Sequence, residues 1–511
     1  MPIASGRLSD MLAAMDLLER DGIDPAPQLS QRDYALAGGL LLLGLALRLP
    51  GLDDGLWFDE IKALIESVRL PAGEIISKFE NLNNHVFYSL TAHACIVWLG
   101  ESAWTLRLPA LVWGVASIPA LYYFGRQLSH RREAFLATLF MVANYQHVWF
   151  SQNARGYTGL VLGALLTSSL FIRLVADPGP RMRWALAYGV VAALSIWIHL
   201  TAAFVIVAHG LVWLVLAIRA LRAGTPREVR PGLLAMGLTF ALTLVLYAPI
   251  LVSVVEVTNS GDGGVFVRRS QVTSWVIGEF VAGFTRSTPT GWPLLVVTLV
   301  ALVCGAASYW RQSPLAASLL VLPLPVALVV ISLFAYVFFP RYVFILLPFV
   351  LLIAVRGGFW LASRVLPFTT PRHALAIGTA LALAGGFMLP NAWKPKQDFA
   401  AAATLLEEQR RQGDGVVCLG LMQLPLRDYL GVDCEGVDSL EELSRIEARH
   451  ARVWLLYTLP TPTAAQRPAI WQRLHESDAY RLIEEFPGSL RGGEIRVLLR
   501  SQKPMQRPEQ S

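Results

Sequence analysis

The chain has 511 residues; 54% are hydrophobic, 16% are charged, and the formal net charge is +6. Soluble domains carry roughly 25% charged residues, and so apolar a balance cannot be enclosed in one water-soluble core, which leaves a multi-span membrane protein. The basic excess lies in short loops between apolar runs, which fits orientation in a bilayer better than a nucleic-acid partner.

Residues 1–33 contain Asp10, Asp16, Glu19, Asp21 and Asp24 and no apolar core of a secretory signal. Leu8, Met11, Leu12, Met15 and Leu18 recur at helical spacing. They predict a short amphipathic helix on the cytoplasmic surface, with partner binding as the alternative. A helix crossing a bilayer needs ~20 apolar residues. Such runs occur near 34–50, 104–125, 134–150, 157–174, 184–199, 200–218, 233–255, 291–310, 315–338, 341–361 and 373–390. The fifth and sixth must turn sharply at His199-Leu200-Thr201.

Val86–Leu99 is apolar but too short to cross, and reads as an interfacial segment. Charge supports its exclusion. With eleven spans and a cytoplasmic start, thirteen loop arginines from Arg126 to Arg372 lie inside against Glu133, Asp177 and Glu228. Counting Val86–Leu99 as a span would send all of those arginines outside, against the positive-inside rule. Two outer loops follow, at 51–103 and 256–290. The spans occupy 34–390. Residues 391–511 change character: short β-like runs at Gly415–Leu421 and Ala451–Leu456 alternate with helix-like stretches at 398–412, 439–449 and 464–477. This predicts a small extracytoplasmic α/β domain, placed to help dock an acceptor. Cys418 and Cys434 lie in it, and can pair if it faces an oxidising compartment. Cys95 and Cys304 lie in apolar segments, and no metal-site spacing such as CxxC or HExxH occurs.

The first outer loop concentrates acids. Trp57-Phe58-Asp59-Glu60 is followed by Ile61, Leu64, Ile65 and Val68 at helical spacing, and Pro71-Ala-Gly73 ends the pattern. Asp59 therefore stands in the first turn of a helix on the membrane surface. Two roles fit it: a cap that suits the helix dipole, or a general base taking the proton of an acceptor hydroxyl. Asp59 and Glu60 are also the candidate ligands for a divalent cation such as Mg or Mn, bridging to a phosphate.

Cations gather at the outer ends of the spans. Arg155, flanked by Gln152, Asn153 and Tyr157, and Arg341, after Pro340, are placed to clamp phosphate oxygens. A snorkelling role is the plainer alternative. Arg268 and Arg269 in the second outer loop are weaker candidates. His85 and His199 are candidate phosphate-side groups, with a structural role as the alternative.

Trp57-Phe58-Asp59-Glu60, Asn84-His85-Val-Phe-Tyr88, Arg107-Leu-Pro109, Gly125-Arg126 and Ser151-Gln-Asn-Ala-Arg155-Gly-Tyr157 follow one another in order. Together they resemble the dolichyl-phosphate-mannose protein mannosyltransferase-like group of GT-C-fold enzymes, which includes the lipid A aminoarabinose transferases. The likeness is densest over about 50–160 and continues at Phe339-Pro-Arg341-Tyr342. It departs after His85, where many relatives carry prolines and this chain has Val86-Phe87. The resemblance implies a polytopic GT-C-like protein and a polyprenyl-phosphate sugar donor. It implies a lipid, glycan or protein acceptor, chemistry facing the periplasm or exterior of a bacterial inner membrane, and a catalytic acid that maps onto Asp59 with Glu60 beside it. A single displacement would invert the sugar. Two other readings compete: a polysaccharide polymerase or ligase with a lipid-diphosphate donor, and a transporter or flippase. The second expects ionisable groups at mid-bilayer, whereas here they gather at the outer face.

Overall fold

The computed structural model describes residues 22–79, 84–179, 181–259, 291–334, 340–365, 370–476, 479–490 and 492–501. The amphipathic pattern at Leu8–Leu18 and the Arg268-Arg269 pair lie outside these residues.

Capping fixes where the long helices begin. Ahead of Gln31–Ala46, the Ser30 hydroxyl accepts from the Asp33 amide at 3.3 Å and the Asp33 carboxylate accepts from the Ser30 amide at 2.9 Å. Two orphan amides are thereby satisfied reciprocally. Ser102 and Ser313 likewise accept from the amides of Thr105 and Ala316, starting Ala103–Leu128 and Pro314–Val321.

Among the described residues, eight helical segments are long and apolar enough to cross a membrane: Ala103–Leu128, Tyr157–Ala176, Leu200–Arg222, Pro226–Ser253, Pro293–Gln312, Pro314–Leu333, Arg341–Arg364 and Pro371–Ala392. The other three expected spans are helical but depart from that standard. Gln31–Ala46 has 16 residues. The run 134–150 is split into Arg131–Val142 and Tyr145–Ser151, because the Asn144 side chain accepts from the His147 amide and starts a new helix. Arg181–Ile198 opens with Arg181 and Arg183, which dilute its hydropathy. Val86–Leu99 is a 14-residue helix, too short to cross.

Charge marks the two ends of the bundle. Arg107 and Arg126 stand near opposite ends of the 26-residue helix Ala103–Leu128. At the Arg126 end, the buried Asp33 carboxylate accepts from Arg131 at 2.8 Å and from the Tyr122 hydroxyl at 2.7 Å. Arg356 pairs there with Glu133 at 2.9 Å.

Beyond the last span lies a five-stranded sheet of order β2-β1-β3-β5-β4, with β1 Gly415–Leu419, β2 Glu435–Val437, β3 Arg452–Tyr457, β4 Tyr480–Phe486 and β5 Ile495–Ser501. β1 pairs in parallel with β2 and β3, and β5 runs antiparallel to β3 and β4. All five β1 residues are buried, as suits a parallel strand covered on both faces. A disulfide between Cys418 and Cys434 joins β1 to the segment entering β2. One sheet face is covered by Leu440–Arg449 and Pro468–Glu476, through Leu443, Ile446, Ile470 and Leu474. The other packs Trp454, Leu456 and Val497 in one continuous core with Leu56, Ile61, Leu64 and Val68 of the first loop and Leu106 and Ala154 of the bundle. The sheet is thus fused to the loop that carries Asp59.

Candidate active site

Trp57 has an extended backbone and starts the helix Phe58–Ala63. The Glu60 carboxylate reaches back to accept from the Trp57 amide at 3.3 Å. Glu60, not Asp59, therefore does the capping. Asp59 stands one residue earlier, and its Oδ2 accepts from Arg341 Nη1 at 3.2 Å.

Glu60 is 0% exposed. Arg107 grips it with two bonds, Nε to Oε1 at 2.9 Å and Nη2 to Oε2 at 2.6 Å, and the Ala154 amide donates to Oε1 at 2.6 Å. Arg107 also donates to the carbonyls of Leu52 and Asp54 at 2.9 and 2.8 Å. Burial pushes the Glu60 carboxyl up, but the charges of Arg107 and Lys396 and its hydrogen bonds prevail and hold it below the usual range. Glu60 thus links the Asp59 turn directly to the Ala154-Arg155 turn.

The second turn carries the cation and its histidine. His85 Nδ1 accepts from the Gly156 amide at 3.0 Å, and His85 Nε2 lies 3.0 Å from Arg155 Nη2. A Cβ at position 156 would stand 2.7 Å from Ile198 Cγ2 and 3.0 Å from His85 Nδ1, so only glycine admits this contact. Burial, then the charges of Arg155, His199 and Arg341, push the His85 imidazole well below its ordinary value and keep it neutral. The ring thus stands between two donors, the Gly156 amide and the Arg155 guanidinium.

Rings close the pocket. His85 lies edge-on to His199 at 4.6 Å and to Tyr157 at 5.2 Å, and His199 lies 6.2 Å from Tyr342. His199 Nδ1 accepts from the Thr201 amide at 3.2 Å, which holds the helix turn expected there. Tyr342 feels the charges of Arg341, Arg155 and Asp59 together. The structure thus gathers Asp59, His85, Arg155, Tyr157, His199 and Arg341 around one place, while Glu60 turns away into Arg107.

Four contributors carry no distinct local signal. Arg107 lies in a motif but reads as an ordinary interfacial arginine. Lys396 stands just beyond the last span, in no motif. Gln397 has no pattern at all, and Tyr342 belongs to the Phe339-Pro-Arg341-Tyr342 stretch, which assigns it no role. A divalent cation does not fit this donor set. Asp59 is engaged by Arg341 and Glu60 by Arg107, and among the described residues no three His, Cys, Asp or Glu side chains converge.

A family profile, dolichyl-phosphate-mannose-protein mannosyltransferase, matches residues 85–252. No curated protein matches the chain in sequence. Among solved structures, ArnT from Cupriavidus metallidurans bound to undecaprenyl phosphate matches with a TM-score of 0.51 at 14% identity, over 91% of this chain and 97% of that one. The apo state of the same protein gives 0.50 at 14% identity over the same shares. An Archaeoglobus fulgidus oligosaccharyltransferase in complex with Zn and sulfate gives 0.49 at 11% identity, over 88% and 79%. The chain is an integral membrane protein with the GT-C fold of membrane glycosyltransferases. Within that class it resembles the dolichyl-phosphate-mannose protein mannosyltransferase and lipid A aminoarabinose transferase group.

Proposed function

We propose that this protein transfers a sugar from a polyprenyl-phosphate donor to an acceptor hydroxyl or amine on the outer side of a cytoplasmic membrane. The carrying observation is the 3.2 Å pair between Asp59 and Arg341 in the pocket of Arg155 and His85. A carboxylate and phosphate-binding cations share one site there.

The reaction is a single displacement. The acceptor oxygen or nitrogen attacks the anomeric carbon and forms the new glycosidic bond. Its proton passes to the Asp59 carboxylate. The bond from carbon to phosphate oxygen breaks, and the polyprenyl phosphate leaves with the electron pair, so the sugar is inverted. Arg341 and Arg155 receive the growing phosphate charge, as preorganised donors do, and His85 packs against Arg155. Tyr157 and His199 wall the pocket, and Glu60 acts through Arg107 and Ala154 to hold the two turns. The donor phosphate competes with Asp59 for Arg341, so donor binding itself frees the base. Three observations support the outer face: the arginine-rich loops lie at the opposite end of the bundle, the sheet sits at the site's end, and its cysteines are joined. Binding of undecaprenyl phosphate by the structural relative supports the lipid class.

The test uses the full chain in lipid nanodiscs with undecaprenyl-phosphate-linked mannose, glucose and 4-amino-arabinose, beside the corresponding diphosphates. Asp59→Asn is expected to lower turnover about 10²–10⁴-fold, the range of general-base catalysis, while binding undecaprenyl phosphate at least as tightly as wild type. Arg155→Ala is expected to weaken that binding. Full transfer by Asp59→Asn removes the base, and turnover with diphosphates alone reassigns the donor.

A further inference from the structure

The segment between the last span and the sheet is held from both sides. Trp393 Nε1 donates to the Leu47 carbonyl at 3.0 Å. Lys396 Nζ donates to the Gln152 carbonyl at 2.7 Å and lies 5.0 Å from the Trp149 ring centroid. From the sheet side, the Ser489 amide donates to the Pro395 carbonyl at 2.8 Å. Trp149 Nε1 in turn donates to the Ser489 hydroxyl at 3.2 Å.

Gln397 follows directly and is 1% exposed. Both ends of its amide are used. Oε1 accepts from the Phe58 amide at 3.1 Å, and Nε2 donates to Thr458 Oγ1 at 3.0 Å. Phe58 is the first residue of the helix whose second residue is Asp59. Amides of a helix's first turn have no partner within the helix, and the indole of Trp57 offers no acceptor. Gln397 supplies that acceptor from the far side of the chain, while Thr458, one residue beyond β3, fixes the orientation of its amide.

We infer that Gln397 is a positioning residue for Asp59: the C-terminal sheet, through Thr458 and Gln397, sets where the catalytic turn stands over the pocket. The sheet is then part of the catalytic frame as well as a surface beside it. This rests on the reading of Asp59 as the base.

Two substitutions in the full chain separate positioning from simple support. Gln397→Met keeps the volume and removes both bonds. It is expected to lower kcat about tenfold, since small misplacements of reacting groups are costly. Affinity for undecaprenyl phosphate should stay within about twofold of wild type, and hydrogen exchange at the Phe58 amide should quicken. In Gln397→Glu, one carboxylate oxygen accepts from Phe58 and the other from the Thr458 hydroxyl, which can rotate to donate. Position is restored, but a negative charge now stands near Asp59. The acid limb of the kcat profile should move to higher pH, with turnover recovered above it. The substrate is whichever undecaprenyl-phosphate sugar turns over in the panel above. Unchanged kcat in Gln397→Met overturns the inference. So does a loss of kcat that merely tracks falling thermal stability and lipid affinity together. If Asp59→Asn is inactive in the same preparation, either result removes Gln397 alone; if Asp59→Asn is active, the base and its positioning residue fall together.

Discussion

Asp59 and Glu60 are neighbours of the same chemical type with different tasks, because successive helical residues point about 100° apart. Asp59 points to Arg341 in the pocket, and Glu60 points into the protein, where Arg107 and two amides claim its oxygens. Removing one partner of a buried ion pair costs about 3–5 kcal/mol, because the other charge is left uncompensated. Arg107→Met should therefore lower the thermal unfolding midpoint far more than Asp59→Asn, a comparison that scanning fluorimetry makes directly. Lys396 gives a pH signature. Burial pushes its ammonium down to about 7 from 10.5, against the upward pull of Glu60 and Asp54 and with the help of Arg107. Between those pH values the unfolded chain holds a proton that the folded chain does not, so stability rises with pH across that window. Below pH 7 both states are protonated and the slope vanishes. The melting temperature of wild type should rise relative to that of Lys396→Met from pH 7 to pH 10; a constant difference would contradict the assignment. Asp59 was named through the Trp57-Phe58-Asp59-Glu60 resemblance, because its spacing alone fits a helix cap equally well. The burial of Glu60 was not legible, because nothing local announces Arg107 as its partner.

Among the helices, the broken run Arg131–Val142 and Tyr145–Ser151 shows how a charge can sit inside an apolar segment. A helix that ends leaves its last carbonyls without intrahelical partners. Arg48, fully buried, donates to the carbonyls of Met141 and Val142 at 3.4 Å each and of Gly44 at 2.8 Å, and to the Ser151 hydroxyl at 3.1 Å. Its Nη2 also lies 2.7 Å from His147 Nδ1. The break and the arginine complete each other, and the short helix so anchored leads directly to Gln152 and Arg155. Arg48→Met withdraws the guanidinium from these buried groups, at about 1–3 kcal/mol for each acceptor that finds no other donor. The expected outcome is lower stability with weakened undecaprenyl phosphate binding, read by thermal unfolding and lipid titration on one preparation. Hydrophobic periodicity located this run but not its division, since both pieces are apolar and only the Asn144 cap separates them. In the sheet, β1 and β3 were legible as short apolar runs. β4 was not, because Tyr-Arg-Leu-Ile-Glu-Glu-Phe is an edge strand with four of its seven residues exposed, and it lacks a continuous apolar signal.

For the molecule as a whole, the decisive feature is the core shared by the sheet, the first loop and the bundle. Loosening the sheet should therefore disturb transfer. The Cys418–Cys434 bridge closes a sequence separation of 16, a loop whose constraint contributes about 3 kcal/mol. Replacing both cysteines by alanine should lower the unfolding midpoint and bring the loss of transfer to a correspondingly lower temperature. Thermal unfolding and transfer that part company would mean that the sheet folds independently of the site.

The residue pattern by itself determined the membrane class and the helical segments and singled out Asp59, Arg155 and Arg341 as candidates, with the catalytic reading of Asp59 coming from the family resemblance. The class, the segments and the candidates follow from local hydrophobic run length, loop charge or an ionisable group at a span end. Only the tertiary structure decided which arginine meets which carboxylate. Arg341 reaches Asp59 across 282 residues, and Gln397 reaches Phe58 across 339. Arginines at span ends are chemically alike along the chain. Helix packing alone brings Arg341 to Asp59, Arg107 to Glu60 and Arg131 to Asp33.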